Sequence, residues 1–247
     1  MLHSAWALAL ALTLQSAPAA PPASPPARSV QPPSITRMWQ NVRHDFRGLA
    51  APDTAFIGSL GLTGALVAHP SDRSVADWAR ADDGPSAVHV GGVVGDAWFQ
   101  SGLALGLYAT GTLAKSPGLA SLGGDLVRAQ VVNAVLTRGI KLAAGRRRPN
   151  GGHDAMPSGH TSATMATAAI VDAHFGWKVG VPAYALAGFV GWTRVRGDSH
   201  WLSDVAAGAA IGAISARAVL HGRHVRGWTI TPTASAGGAA IYVVKME

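Results

Sequence analysis

Apolar residues recur at helical spacing through most of this chain, in stretches cut by clusters of Gly, Pro and Asp. The pattern predicts helices at about 54–69, 88–114, 119–145, 158–176, 179–196 and 200–221. A short amphipathic helix is expected to begin the folded part near Ile35. No strand alternation or 20–50-residue repeat competes with this reading before the C-terminus. There, Trp228–Ser235 and Ala239–Met246 flank Ala236-Gly237-Gly238, and Ile241-Tyr242-Val243-Val244 is strongly β-forming. The expected fold class is therefore all-α, a bundle of about six core helices, with a small C-terminal β-hairpin or tail at 227–247.

The N-terminus reads differently. Trp6–Leu14 is an apolar run followed by Ala17-Pro18-Ala19, a small-x-small cleavage site, so residues 1–19 are expected to be a signal peptide. The run is shorter than the roughly 20 residues that span a bilayer. Residues 20–34, rich in Pro, Ala and Ser, are expected to form a disordered linker ahead of a helical domain at 35–226.

Composition narrows the function classes. Apolar residues are 48% of the 247 and charged residues only 13%, which suits tightly packed or lipid-facing helices. The net charge of +7 would suit nucleic acid, anionic lipid or anionic small substrates. No Lys/Arg run is interleaved with aromatics, so no nucleic-acid partner is expected. The absence of cysteine excludes disulfides, thiolate catalysis and Cys-ligated metal centres.

An export signal would deliver residue 20 onward to the periplasm. If six helices then crossed the membrane, Arg148, at the end of the third, would face the cytoplasm. A soluble or membrane-peripheral domain avoids that conflict, as does a first segment too short to cross. Segment 119–145, with Asp125, Arg128, Gln130, Asn133, Arg138 and Lys141, would be costly against lipid. The expectation is an exported envelope domain, soluble or membrane-associated, with an integral membrane protein as the alternative.

Three segments carry chemistry. In Lys141–Pro149 (KLAAGRRRP) the two outer cations are seven residues apart. On one helix they would lie about 20° from one another and about 10.5 Å apart along the axis, with Pro149 stopping the helix after Arg148. An Arg fork and a Lys point charge suit an oxyanion. Arg146 and Arg147 read as solvated neighbours. In Pro157–His160 (PSGH), Ser158 is a good N-cap, Gly159 allows close backbone approach, and His160 stands in a first turn poised to donate a proton. In Arg194–Asp204 (RVRGDSHWLSD), His200 and Asp204 are i,i+4 at the start of a helix. A carboxylate accepting from one ring nitrogen would leave the other basic. Arg194 adds a third cation.

Each segment alone has an ordinary structural explanation: a basic helix end, a capped helix, a helix-surface hydrogen bond. As an ordered set, Lys141-x6-Arg148-Pro149, Pro157-Ser158-Gly159-His160 and Arg194-x5-His200-x3-Asp204 resembles the signature of the type 2 phosphatidic acid phosphatase superfamily. That superfamily also includes class A acid phosphatases and vanadium haloperoxidases. The resemblance covers roughly residues 85–221, and Thr193 stands where the family usually has Ser.

The resemblance implies a metal-independent phosphatase working through a phosphohistidine. His200 would be the nucleophile, His160 the general acid and base, and Asp204 the group orienting His200. Lys141, Arg148, Arg194, Ser158 and Gly159 would hold the phosphate. The implied substrates are phosphorylated lipids (phosphatidic acid, phosphatidylglycerol phosphate, polyprenyl pyrophosphate) or soluble phosphate esters. No cofactor or metal is implied, except vanadate if the chain were a haloperoxidase. His153, Asp154, His174 and His221 match no motif position and are expected to be surface or packing residues.

Overall fold

The computed structural model describes residues 35–80, 85–221, 227–235 and 238–246. The expected signal peptide and linker, 1–34, lie outside them. The described residues form helices α1 (Ile35–Gly48), α2 (Pro52–Ala68), α3 (Asp72–Arg80), α4 (Pro85–Val94), α5 (Ala97–Leu113), α6 (Pro117–Ala144), α7 (Gly159–Phe175), α8 (Trp177–Arg196) and α9 (Leu202–Leu220). A 3₁₀ turn, His69–Ser71, joins α2 to α3. Strands β1 (Gly227–Ser235) and β2 (Gly238–Met246) make an antiparallel hairpin with Ser235 opposite Gly238.

Helix α6, about 42 Å long, is the central pillar. Leu122, Leu126, Ala129 and Val132 of α6 pack on Ala166 and Ile170 of α7 and on Ala216, Val219 and Leu220 of α9. Small residues set the spacing between helices. A Cβ on Gly208 would come within 2.5 Å of Ser158 O, and one on Gly212 within 2.3 Å of Ser162 O. The backbones of α7 and α9 thus touch beside the first turn of α7.

A buried ion cluster ties α1 and α7 to the pillar. Arg128 donates to Asp45 at 2.7 Å and to Asp125 at 2.7 Å, and His174 Nε2 lies 2.9 Å from Asp125. His174 is therefore a partner of a buried carboxylate, where a surface or packing role was expected. Helix α3 lies between two of the expected helices, where none was assigned. Its acidic first residue Asp72 and basic last residue Arg80 complement the helix dipole. The single helix expected at 88–114 is broken at Gly95-Asp96. Asp96 caps α5 by accepting from the Trp98 backbone N–H at 2.8 Å.

Candidate active site

The C-terminal ends of α6 and α8 and the N-terminal ends of α7 and α9 meet at one end of the bundle. The chain leaves α6 early. Gly145 adopts φ 54°, a left-handed cap that L side chains resist, so the helix ends at Ala144. Arg148 therefore does not share a helix face with Lys141. It stands in the following loop, where its backbone N–H donates to Gly152 O at 2.8 Å. Pro149 does not end the helix, because Gly145 has already done so.

The bridge between the first two segments is the scaffold of the site. Three consecutive carbonyls of this loop each accept from a different charged or titratable side chain. Arg148 Nε donates to His153 O at 2.8 Å, Lys141 Nζ donates to Asp154 O, and His200 Nδ1 lies 2.6 Å from Ala155 O. Asp154 supports this path at φ 59°. The side chains of His153 and Asp154 were expected to be bystanders, and the carbonyls are what act.

Ser158 caps α7. Its Oγ accepts from the Thr161 backbone N–H at 3.4 Å and from Thr161 Oγ1 at 2.9 Å, and its own N–H donates to Asp204 O at 2.9 Å. A Cβ on Gly159 would lie 4.0 Å from Lys141 Cε, which places the lysine against the start of α7. His160 follows in the first turn, held against the residue just after α4, where a Cβ on Gly95 would meet its Cβ at 2.9 Å.

Arg194 ends α8. Its Nη2 donates to Val88 O at 2.9 Å, while Nε is a buried donor with no hydrogen-bond partner among the described residues. A buried guanidinium N–H left in that condition is costly unless an acceptor is brought to it. Beside it opens a cleft of about 470 Å³ lined by Val88, His89, Val93, Asp96 and Phe99.

His200 precedes α9; the helix begins at Leu202, capped from the Trp201 position. His200 Nδ1 is 3.8 Å from Asp204 Oδ2, beyond hydrogen-bond range, because Asp204 is already engaged. Its Oδ2 accepts from the Trp201 N–H at 2.8 Å and its Oδ1 from Arg146 at 2.6 Å. The ring is held by Ala155 O, and Asp204 acts on it through charge. With Nδ1 donating, Nε2 carries the free lone pair.

Electrostatics bind the group together. Burial lowers the pKa of His200; the Asp204 carboxylate opposes this, while Lys141 and Arg148 add to it. His160 is pushed down to about 4, mainly by burial and then by Arg194, so both rings are neutral at neutral pH. Burial and the Arg148 guanidinium lower Lys141 and Arg194 alike. Like charges forced together around a buried orphan donor are the setting an oxyanion relieves. Among the described residues no three His, Asp or Glu side chains cluster as a metal would require.

Residues 119–228 match the model of the PAP2 superfamily. Those residues, a little under half of the chain, are similar to that superfamily. Lipid A 1-phosphatase of Porphyromonas gingivalis is 38% identical over 76 residues, which are 29% of this chain and 17% of that protein. The chain thus matches less than a fifth of the length of that curated relative. A transmembrane PAP2-type phosphatidylglycerolphosphate phosphatase from Bacillus subtilis shares the fold at TM-score 0.57 and 19% identity, over 68% of this chain and 94% of that one. LpxE of Aquifex aeolicus aligns at TM-score 0.49 and 19% identity, over 60% of this chain and 94% of that one.

The PAP2 segment holds every residue singled out in the three motifs, and the structure brings them to one end of the bundle. It also shows a residue the motif reading passed over. Arg146, expected to be solvated, reaches Asp204, Ser203 and Asp72. Asp72 lies on α3, outside the PAP2 segment, and nothing in the residue pattern links it to residues 131 positions later.

Proposed function

We propose that this protein is a metal-independent phosphatase that forms a phosphohistidine on His200. The observation that carries the proposal is the convergence of Lys141, Arg148 and Arg194, the last with a buried unsatisfied Nε, around two neutral histidines. In this reading the cations hold the non-bridging oxygens of a phosphate monoester, with Ser158 and the Gly159 N–H at the start of α7. His200 Nε2 attacks phosphorus while Ala155 O holds the Nδ1 proton. The bond to the leaving oxygen breaks, and that oxygen takes the proton of His160. Water then attacks the phosphohistidine with His160 accepting its proton; the P–N bond breaks and phosphate leaves.

His160 must be protonated for the first step. Burial is the larger cause of its low pKa; the negative charge of the phosphate opposes the smaller Arg194 part and so favours the protonated ring.

Phosphorylated lipids are the favoured substrate class. The cleft beside Arg194 is walled by Val88, Val93 and Phe99, and the surface carries many exposed large apolar side chains. The same surface supports association with a membrane at the cell envelope, on the exported side if residues 1–19 act as a signal peptide.

The test is a phosphatase assay on the purified full chain with phosphatidic acid and p-nitrophenyl phosphate in the presence of EDTA. Hydrolysis should persist in EDTA, be inhibited by vanadate and vanish in His200→Ala. With p-nitrophenyl phosphate, whose leaving group departs without needing the His160 proton, an acid-labile phosphoenzyme should accumulate in His160→Ala and be absent from His200→Ala. Full activity in His200→Ala, or loss in EDTA restored by a metal, would overturn the mechanism. Peroxide- and bromide-dependent halogenation with vanadate would assign the site to the haloperoxidase reading.

A further inference from the structure

Asp204 is one corner of a polar clamp joining three parts of the chain beside His200. Arg146 Nη1 donates to Asp204 Oδ1 at 2.6 Å and to Ser203 Oγ at 2.7 Å, and its Nη2 donates to Asp72 Oδ2 at 2.7 Å. Asp72 closes the loop by accepting from the Ser203 backbone N–H at 2.9 Å and from Ser203 Oγ at 2.7 Å. His69 Nδ1 sits 3.0 Å from Asp72 Oδ2 at the outer edge, and the Arg146 guanidinium lies over the Trp201 ring at 5.8 Å. Asp72 and Asp204 are almost fully buried.

We propose that Arg146 is a positioning residue for the nucleophile, anchored by Asp72 of α3, and that it limits how strongly the Asp204 carboxylate acts on His200. The inference rests on His200 being the nucleophile. Its physics is direct. One Asp204 oxygen is committed to Arg146 and the other to the Trp201 N–H, so the carboxylate cannot turn to His200 and remains 3.8 Å from Nδ1. The ring therefore keeps its Nδ1 bond to Ala155 O. The Arg146 cation also offsets part of the Asp204 field at the ring, and Asp72 in turn offsets part of the Arg146 charge. Other charges facing His200 are Lys141 and Arg148, with His160 across the site. Those facing Arg146 are Asp72, Asp204 and, when protonated, His69.

Two substitutions should then move the same ionisation in opposite directions. In Arg146→Ala, Asp204 is released and unopposed, so His200 holds its proton to higher pH. The acid limb of kcat/KM, which reports the free enzyme, moves up by about half to one pH unit. Turnover should fall roughly 10–100-fold with KM changed less than about threefold, the scale of outer partners of functional histidines. In Asp72→Asn the Arg146 charge is less compensated and the limb moves down. Arg146→Lys should restore the limb while recovering only part of kcat, because an ammonium replaces the forked contact.

The measurement is the pH profile of p-nitrophenyl phosphate hydrolysis by the full chain in detergent, with folding checked by circular dichroism. Limbs moving in opposite directions support the clamp. Unmoved limbs, or shifts of the same sign, overturn it. If Arg146→Ala does not fold, Asp72→Asn and Arg146→Lys still decide the sign. His200→Ala is run alongside: its inactivity with unmoved limbs elsewhere refutes the clamp alone, whereas its activity refutes the nucleophile assignment.

Discussion

At the scale of the residue, the site is built as much from carbonyls as from side chains. His153 O, Asp154 O and Ala155 O aim Arg148, Lys141 and His200, and a carbonyl has no residue type to betray it in a sequence. The charged members of the site were legible because their chemistry is their identity; the atoms that orient them were not. The same limit hid the separation of Asp204 from His200. Spacing of i,i+4 implied a helix pair, but α9 starts two residues after His200. One consequence concerns protons. Burial and Arg194 hold His160 at about 4, against an ordinary value near 6.5. The folded protein therefore binds fewer protons than the unfolded chain between those values, so this group's contribution to stability is lost as pH falls through that window. Binding of an oxyanion dianion should reverse the Arg194 part of the shift and take up a fraction of a proton near pH 5–6. Calorimetric titration of sulfate, which does not itself titrate there, in buffers of different ionisation enthalpy would show it as a buffer-dependent heat. A heat independent of buffer, or one unchanged in His160→Gln, would count against His160 as the proton donor.

At the scale of the element, helices were legible where their apolar period was long and punctuated, and boundaries failed where a single residue decided. α6 to α9 lie within a few residues of the expected spans, whereas Gly145 stopped α6 before its three arginines and Gly95-Asp96 split one expected helix into two. α3 was missed because nine residues give too short a period to separate from loop, and tertiary contacts of Asp72 hold it in place. What the pattern could not convey is how close helices approach. Gly208 lets α9 rest on Ser158 O, so the turn that bears Ser158, Gly159 and His160 is seated on a surface with no side chain. Gly208→Ala pushes a methyl to within 2.5 Å of that oxygen. The expected cost is about 1–3 kcal/mol in stability, the usual range for overpacking. Activity should fall more steeply than stability, because what moves is the phosphate-binding turn. Thermal unfolding and kcat measured together check it. A variant with wild-type turnover and a lowered Tm would mean the contact is structural only.

At the scale of the whole molecule, two features pull in different directions and together define its setting. Inside, Asp45, Asp125, Arg128 and His174 form a buried polar cluster linking three helices. Removing one member of such a cluster strands the others at a cost of about 3–5 kcal/mol. Outside, the surface is apolar to a degree uncommon in a domain surrounded by water. Five of the eight tryptophans, Trp39, Trp78, Trp98, Trp177 and Trp192, are more than a third exposed, with Leu60, Leu62, Leu66 and Val67 on α2 and Val179, Val181 and Leu186 on α8. Among the described residues one helix, Leu202–Leu220, is long and apolar enough to cross a membrane, and the bent pair Met38–Gly48 with Pro52–Arg80 passes the same test as a unit. Two forces could therefore bring the chain to a bilayer: its apolar surface and its net charge of +7. Salt separates them. Electrostatic attachment fades as the screening length shrinks to about 3 Å at 1 M, whereas apolar burial at about 25 cal/mol per Å² is undiminished. Fractionated cells expressing the full chain should therefore keep it in the membrane pellet through 1 M NaCl and release it only to detergent, with phosphatase activity following the protein. Release by salt alone, with activity retained in a detergent-free supernatant, would show that charge holds it at the surface and that its apolar side chains need another cover.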